Sequence, residues 1–230
     1  MRIGVLLPTF TVGAREAFAF AQSASDAELD GVFAYDHLWP MGSPLRPSLA
    51  PFALLAGVAR RHRRLVVGPL VARVGLVSTS HLVEQFMTLE KVAPGRVVAA
   101  IGTGDKLSKA ENDAYGLLAR DADERRAMLR DAAEALRSSM PVWLGGGGAE
   151  TNELARSLGV TINLWNAPAQ RVAQVGASGP VNWAGPVPDD LVATLDALEA
   201  ARATWAVLSP QADITALGEW RRAHPLTKLH

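Results

Sequence analysis

Short apolar runs alternate with amphipathic stretches along the whole chain. The runs are rich in Val, Ile and Leu. Most are followed by a segment with apolar residues at three- and four-residue spacing and charge on the other face, as in "TSHLVEQFMTLEKV". The first pattern predicts strands buried on both faces, and the second predicts helices. The predicted strands are residues 3–7, 31–35, 65–71, 97–101, 142–144, 160–164, 180–183 and 205–208.

The number and spacing of these units predict the fold class. Eight strand–helix units over 230 residues average about 29 residues each, close to the roughly 30 residues of a βαβ unit. Because a (β/α)8 barrel typically has about 250 residues, we predict an α/β fold, a compact (β/α)8 TIM barrel with shortened loops, rather than an open doubly wound sheet. The Pro- and Gly-rich stretches 41–51 and 178–188 each fit a loop, so we expect residues 1–230 to form a single domain.

Composition and charge exclude several classes of protein and site. Lys and Arg balance Asp and Glu at 23 each, which gives no electrostatic reason to expect a nucleic acid or an acidic membrane surface as partner. With no cysteine, disulfides and thiolate metal sites are excluded, and no histidine pair has metal-ligand spacing, so we expect no metal. No apolar run approaches the roughly 18 residues of a membrane span, and we expect a cytoplasmic protein.

Candidate chemistry begins where the second predicted strand ends, in "GVFAYDHLWP". In a barrel the active site lies at the carboxyl ends of the strands, and Asp36 and His37 occupy that position. His37 is a candidate proton donor or acceptor because the ordinary pKa of histidine lies near neutrality. The alternative is a structural loop in which Asp36 accepts backbone hydrogen bonds and His37 packs on Trp39.

Two glycine-rich strand ends are candidate ligand sites. The run "VWLGGGGAETNELARSLG" leads from a strand into a helix through Gly145, Gly146, Gly147 and Gly148. Such a turn lets backbone N–H groups and the helix N-terminus approach a phosphate, although a flexible turn explains the same spacing. In "AAIGTGD", Gly102, Thr103 and Gly104 lie where the barrel narrows or admits a ligand. Asp105 is there either a proton acceptor or the cap of the next helix.

Four of these segments together resemble a known family. "RIGVLLPTF", "GVFAYDHLWP", "RLVVGPLVARVGLVSTSHLVEQFMTLEKVAPGRVVAAIGTGD" and "PVWLGGGGAETNELARSLG" are similar, in that order, to the luciferase-like monooxygenase superfamily. Its members are (β/α)8-barrel oxidoreductases that use flavin mononucleotide (FMN) or the deazaflavin coenzyme F420. The "DHLWP" and "GTGD" strand ends resemble the F420-dependent branch most.

The resemblance implies roles for individual residues. His37 would be the acid/base or stabilising group, Asp36 would contact the deazaflavin, and Asp105 would stand where the family usually has a glutamate, with a shorter reach. The family's third strand often carries a non-proline cis peptide behind the flavin-type ring, which falls here at Leu70–Val71. The implied cofactor-binding set is Asp36, Leu70, Val71, Ala72, Thr103, Gly104, and Gly145, Gly146, Gly147 and Gly148, the last four holding the cofactor phosphate.

The chain departs from the family pattern in its loops. Only about 35 residues separate Asp105 from Pro141, whereas relatives carry a long insertion there that covers the substrate. Two functions therefore remain. One is an oxidoreductase that transfers hydride between F420, or alternatively FMN, and a small organic substrate. The other is a non-catalytic flavin- or F420-binding or storage barrel. The resemblance also raises the expectation of a homodimer.

Overall fold

The part of the chain that the structure describes forms a nearly closed barrel of nine parallel strands with helices between them. The computed structural model describes residues 1–40, 43–44, 46–104, 108–118 and 120–226. The strands are β1 Arg2–Leu6, β2 Gly31–Ala34, β3 Val66–Pro69, β4 Ala72–Arg73, β5 Ala99–Gly102, β6 Val142–Gly145, β7 Thr161–Trp165, β8 Val181–Gly185 and β9 Trp205–Leu208. The predicted barrel is confirmed, and each predicted strand is found with its bounds shifted by a few residues at most.

The third predicted strand is divided into two. A cis peptide bond between Leu70 and Val71 separates β3 from β4, which accounts for the ninth strand and confirms the position predicted for this bond. β3 pairs with β2, and β4 pairs with β5. The strand order is β3-β2-β1-β9-β8-β7-β6-β5-β4. Val67 closes the barrel on the remaining side, because its N–H donates to the Arg96 carbonyl (2.8 Å) and its own carbonyl accepts from Val98 (3.0 Å).

The helices cover the outside of the barrel. They are α1 Arg15–Asp26, α2 Pro51–Arg61, α3 Thr79–Val92, α4 Lys109–Ala114, α5 Ala122–Leu136, α6 Ala149–Leu158, α7 Ala169–Gly176, α8 Leu191–Ala200 and α9 Ile214–Ala223. Several begin at residues suited to that position. Ser78, Asp190 and Asp213 cap helix N-termini through their side chains, and Asp121 forms a reciprocal capping box with Glu124. The six-residue α4 has no periodic apolar pattern, and the sequence did not predict it.

Aromatic side chains fill the barrel interior below its mouth. Phe33 stacks on Trp143 with ring centroids 5.2 Å apart, and Trp205 contacts both rings edge-on at 5.7 and 5.5 Å. Gly4 makes room for this cluster, since a Cβ there would lie 2.9 Å from Phe33. Because the lower interior is packed solid, as is usual for this architecture, a ligand has access only at the carboxyl ends of the strands.

Candidate active site

Strand register brings several predicted site residues to one rim. Arg73 at the end of β4 pairs with Gly102, Gly102 pairs with Gly145, and Gly145 pairs with Asn163. His37 follows β2 on the same rim and reaches helix α4, which follows β5. Asp105 lies outside the described residues.

A buried chain of charged groups holds the His37 imidazole. Nδ1 of His37 is 2.9 Å from Oε1 of Glu111, and Oε2 of Glu111 is 2.7 Å from a guanidinium nitrogen of Arg73. The Glu111 and Arg73 side chains are 1% and 5% exposed, while that of His37 is 20% exposed. Glu111 and Arg73 therefore form a buried ion pair, and the histidine at its end faces the mouth of the barrel.

Asp36 holds Arg73, at the end of this series of charged groups opposite His37. Its carboxylate accepts a hydrogen bond from the Arg73 backbone N–H (2.9 Å), and its carbonyl accepts one from Nε of Arg73 (3.0 Å). Burial raises the pKa of Asp36, and the bond to Arg73 and the charge of its guanidinium oppose that shift. The carboxylate thus positions Arg73, and a contact between Asp36 and a cofactor stays a prediction.

Aromatic rings enclose the other side of His37. Phe10 stacks on Tyr35 with centroids 5.4 Å apart, and the two rings lie 6.5 and 6.3 Å from the imidazole. Tyr35 also meets Trp165 edge-on at 6.3 Å. Burial raises the pKa of the Tyr35 hydroxyl, and a hydrogen bond with Ser209 partly opposes this shift. Nε2 of His37 has no hydrogen bond to any described residue, so this nitrogen is the one left for a ligand.

The residue after the cis bond forms an apolar platform on the rim. The Val71 side chain lies against Gly102 and Gly145, where a Cβ would come within 2.7 and 2.8 Å of its methyl groups. Leu70 and Ala72 on either side are buried, and Leu70 is tied to β2 by its N–H, which donates to the Ala34 carbonyl (2.8 Å). Glycine at 102 and 145 is therefore required for Val71 to occupy this position.

The four-glycine turn after β6 leaves backbone donors accessible. Gly146 adopts a φ of 134°, which disfavours other residues, and its N–H donates to the Asn163 carbonyl (3.1 Å). Gly148 begins α6 without a side-chain cap, so the first N–H groups of the helix have no such partner. Glu150, an obvious competitor for an anion, pairs with Arg126 (2.6 Å) instead. A phosphate role for the turn stays a prediction.

Comparison with known proteins identifies the family. The model of the luciferase-like monooxygenase family matches residues 1–140. The chain belongs to the luciferase-like monooxygenase family. The resemblance inferred from the sequence motifs is thereby confirmed.

Several relatives of this luciferase-like chain are named as F420-dependent enzymes. The F420-dependent glucose-6-phosphate dehydrogenase of Nakamurella multipartita is 28% identical over 198 residues, which cover 84% of this chain but only 56% of that protein. An F420-dependent secondary alcohol dehydrogenase, solved with an F420–acetone adduct, has a TM-score of 0.81 at 13% identity. The alignment covers 98% of this chain and 99% of the dehydrogenase. The coenzyme F420-dependent tetrahydromethanopterin reductase of Methanopyrus kandleri has a TM-score of 0.75 at 12% identity. That alignment covers 97% of this chain and 99% of the reductase. At these identities the solved structures establish the fold.

Two central residues of this luciferase-like site were not among the sequence candidates. Arg73 had a visible signal, because it is the first charged residue after the apolar predicted strand 65–71. Glu111 had none, since it lies in the polar stretch "SKAENDAYG" with three other charged or amide residues. Thr103 and Gly104 lie on the rim beside Arg73 and border a separate cavity behind α4.

The described residues offer neither a metal-binding cluster nor a membrane span. Within the described ranges, no three His, Asp or Glu side chains of this family member lie close enough to share a metal ion. None of the helices in that part of the chain is both long and apolar enough to cross a membrane.

Proposed function

We propose that this luciferase-like protein is an oxidoreductase that uses coenzyme F420 to exchange hydride with a small organic substrate. FMN is the alternative cofactor. The observation that carries the proposal is the His37 imidazole, held by the buried Glu111–Arg73 pair at the mouth of the barrel. The F420-dependent names of its relatives support the choice of cofactor, although the chain spans only 56% of the length of the relative from Nakamurella multipartita.

The residues present fit a flat cofactor with an anionic tail. Val71 offers an apolar platform on the rim, and such a surface suits the face of a planar ring. The Gly145–Gly148 turn and the N-terminus of α6 suit a phosphate group, and Arg171 lies beside them, its guanidinium donating to the Gly147 carbonyl (3.2 Å). When bound, the cofactor would supply the hydride acceptor or donor.

His37 would manage the proton that accompanies hydride transfer. Its Nδ1 is engaged by Glu111, which fixes the orientation of the ring. Nε2 is then the atom that takes a proton from a substrate hydroxyl or returns one to a carbonyl oxygen. Phe10 and Tyr35 flank the imidazole with apolar surface, which limits the access of water on that side.

A non-catalytic binding or storage barrel is the competing proposal. It is favoured by the short connection between β5 and α5, where α4 is the one helix among the described residues. Trp165 on the rim is 52% exposed, so this side of the mouth is open to solvent. The two proposals share cofactor binding and differ in turnover.

Cofactor titration and turnover on the same preparation test the proposal. F420 and FMN are each titrated into the purified protein and followed by absorbance and fluorescence, and the loaded protein is then assayed with a panel of alcohols and aldehydes. We expect F420 to bind more tightly than FMN and at least one substrate to turn over. Binding without turnover would support the storage barrel, and binding of neither cofactor would refute both proposals.

Three further expectations belong to the proposal. Residues 1–230 would act as one domain, the protein would work in the cytoplasm, and it would form a homodimer. Cell fractionation and light scattering of the purified protein test the last two.

A further inference from the structure

A second cavity lies behind α4, next to the charged chain that holds His37. It has a volume of about 410 Å³ and is bordered by the segment that follows β4, by α4 and by the start of α5. Arg73 contributes to its wall and links it to the candidate active site through Glu111. The other charged side chains on the lining are Lys109, Asp113, Arg120 and Arg125.

Among the described residues that line this cavity, the positive charges outnumber the negative ones. Lys109 pairs with Asp113 at 2.5 Å, and Arg73 pairs with Glu111 at 2.7 Å. Arg120 and Arg125 have no ion pair with any residue that the structure describes. The Nε atom of Arg125 is buried and lacks a hydrogen-bond partner. Buried polar groups are nearly always satisfied, and a bound oxygen acceptor in the cavity would satisfy this one.

Two of the cavity's arginines pack against glycine residues. A Cβ at Gly75 would be 3.6 Å from Cδ and 3.8 Å from Nε of Arg120, and one at Gly104 would be 3.5 Å from Cδ of Arg73. Both glycines have positive φ angles, 89° and 72°, a conformation that other residues rarely adopt. Arg73 is moreover almost fully buried, so one wall of the cavity is a fixed cation rather than a mobile surface side chain.

We propose that this cavity binds an oxyanion, a phosphate or carboxylate group of a small anionic ligand. Arg120 and Arg125 would be its main contacts, because guanidinium groups pair with two oxygens of such an anion at once. Arg73 would contribute positive charge from the cavity wall. Two sources share this chemistry, the acidic tail of a bound deazaflavin and a free phosphorylated compound. The proposal does not depend on the proposed catalytic function, because the cations are part of the protein itself.

Calorimetric titration with inorganic phosphate tests the site without any deazaflavin. The parent protein is compared with Arg120→Gln, with the double variant Arg120→Gln/Arg125→Gln, and with Arg130→Gln as control. Arg130 lies on α5, is exposed and is not part of the cavity lining. We expect phosphate affinity to fall at least tenfold in the double variant, to fall measurably in Arg120→Gln, and to be unchanged in Arg130→Gln.

Stability and competition measurements complete the test. Melting temperatures show whether each variant is folded, and Arg120→Gln keeps the test valid if loss of Arg125 unfolds the protein, because Arg120 is exposed. Displacement of phosphate by F420, but not by its core without phosphate and tail, would identify the cofactor tail as the ligand. Displacement by neither would assign the site to a separate anion. No phosphate binding at about 10 mM, or equal affinity in the parent and the folded variants, would overturn the proposal.

Discussion

Replacing Glu111 by Gln isolates the contribution of the buried charge at the site. The side chain is 1% exposed and contacts both His37 and Arg73. Glutamine keeps the shape of the side chain but removes the negative charge that balances the buried Arg73 guanidinium. Breaking a buried ion pair in this way typically costs about 3–5 kcal/mol in the free energy of unfolding. Because Arg73 keeps its contacts with Asp36, we expect the lower end, a loss of about 3 kcal/mol in the free energy of unfolding.

A double-mutant cycle separates this charge effect from general loss of packing. Arg73→Met removes the other partner, and the Arg73→Met/Glu111→Gln double variant leaves neither charge buried. We expect the double variant to lose no more stability than either single variant, which corresponds to a coupling of about 3 kcal/mol or more. Urea unfolding followed by fluorescence and circular dichroism provides the free energies. Additive losses, with a coupling near zero, would refute the buried pair as the element that organises the site.

Three further predictions concern the cofactor turn, Asp36 and the platform. Gly148→Val should weaken F420 binding at least tenfold and leave the melting temperature unchanged; Gly179→Val is the matched control, because a Cβ at either position meets nothing within 4 Å. An equal effect of both variants would remove the phosphate role of the turn. Burial raises the pKa of Asp36 above its usual 3.8. Between pH 3.8 and this raised pKa, the native state keeps a proton that the unfolded chain releases. The contribution of Asp36 to stability therefore falls as the pH rises through this range. The stability advantage of the parent over Asp36→Asn in urea should therefore shrink above pH 3.8, and a constant or growing advantage would contradict the shift. Gly102→Ala places a Cβ 2.7 Å from Val71 and should cost about 1–3 kcal/mol by overpacking while weakening cofactor binding, and retained stability and affinity would refute the platform.

The strands were predictable because each has a clear local signal. Runs such as residues 31–35 and 205–208 are apolar throughout, which follows from burial on both faces of a parallel strand. The break in the third strand was predictable only from family resemblance. Nothing in the composition of "VVGPLVAR" marks a cis bond, since Leu70 and Val71 are ordinary strand residues.

The charged chain behind His37 could not be predicted because it depends on tertiary structure. Glu111 lies on a six-residue helix whose other residues are mostly polar, and a carboxylate in such a segment is normally exposed. Its burial is made possible by Arg73, which is 38 positions away in the sequence and reaches it only after the barrel closes. Asp36 was identified correctly as a residue of the rim, but its contact with Arg73 has the same long-range origin.

Turnover of His37→Ala is the measurement that tests the central claim most directly. The variant is compared with the parent and with His81→Ala, in which an exposed histidine on α3 is removed, all loaded with F420 and assayed on the best substrate of the panel. If His37 is the acid or base, kcat should fall about a hundredfold or more, with the Kd for F420 and the melting temperature little changed and His81→Ala like the parent. An unchanged kcat per folded molecule in His37→Ala would contradict the account.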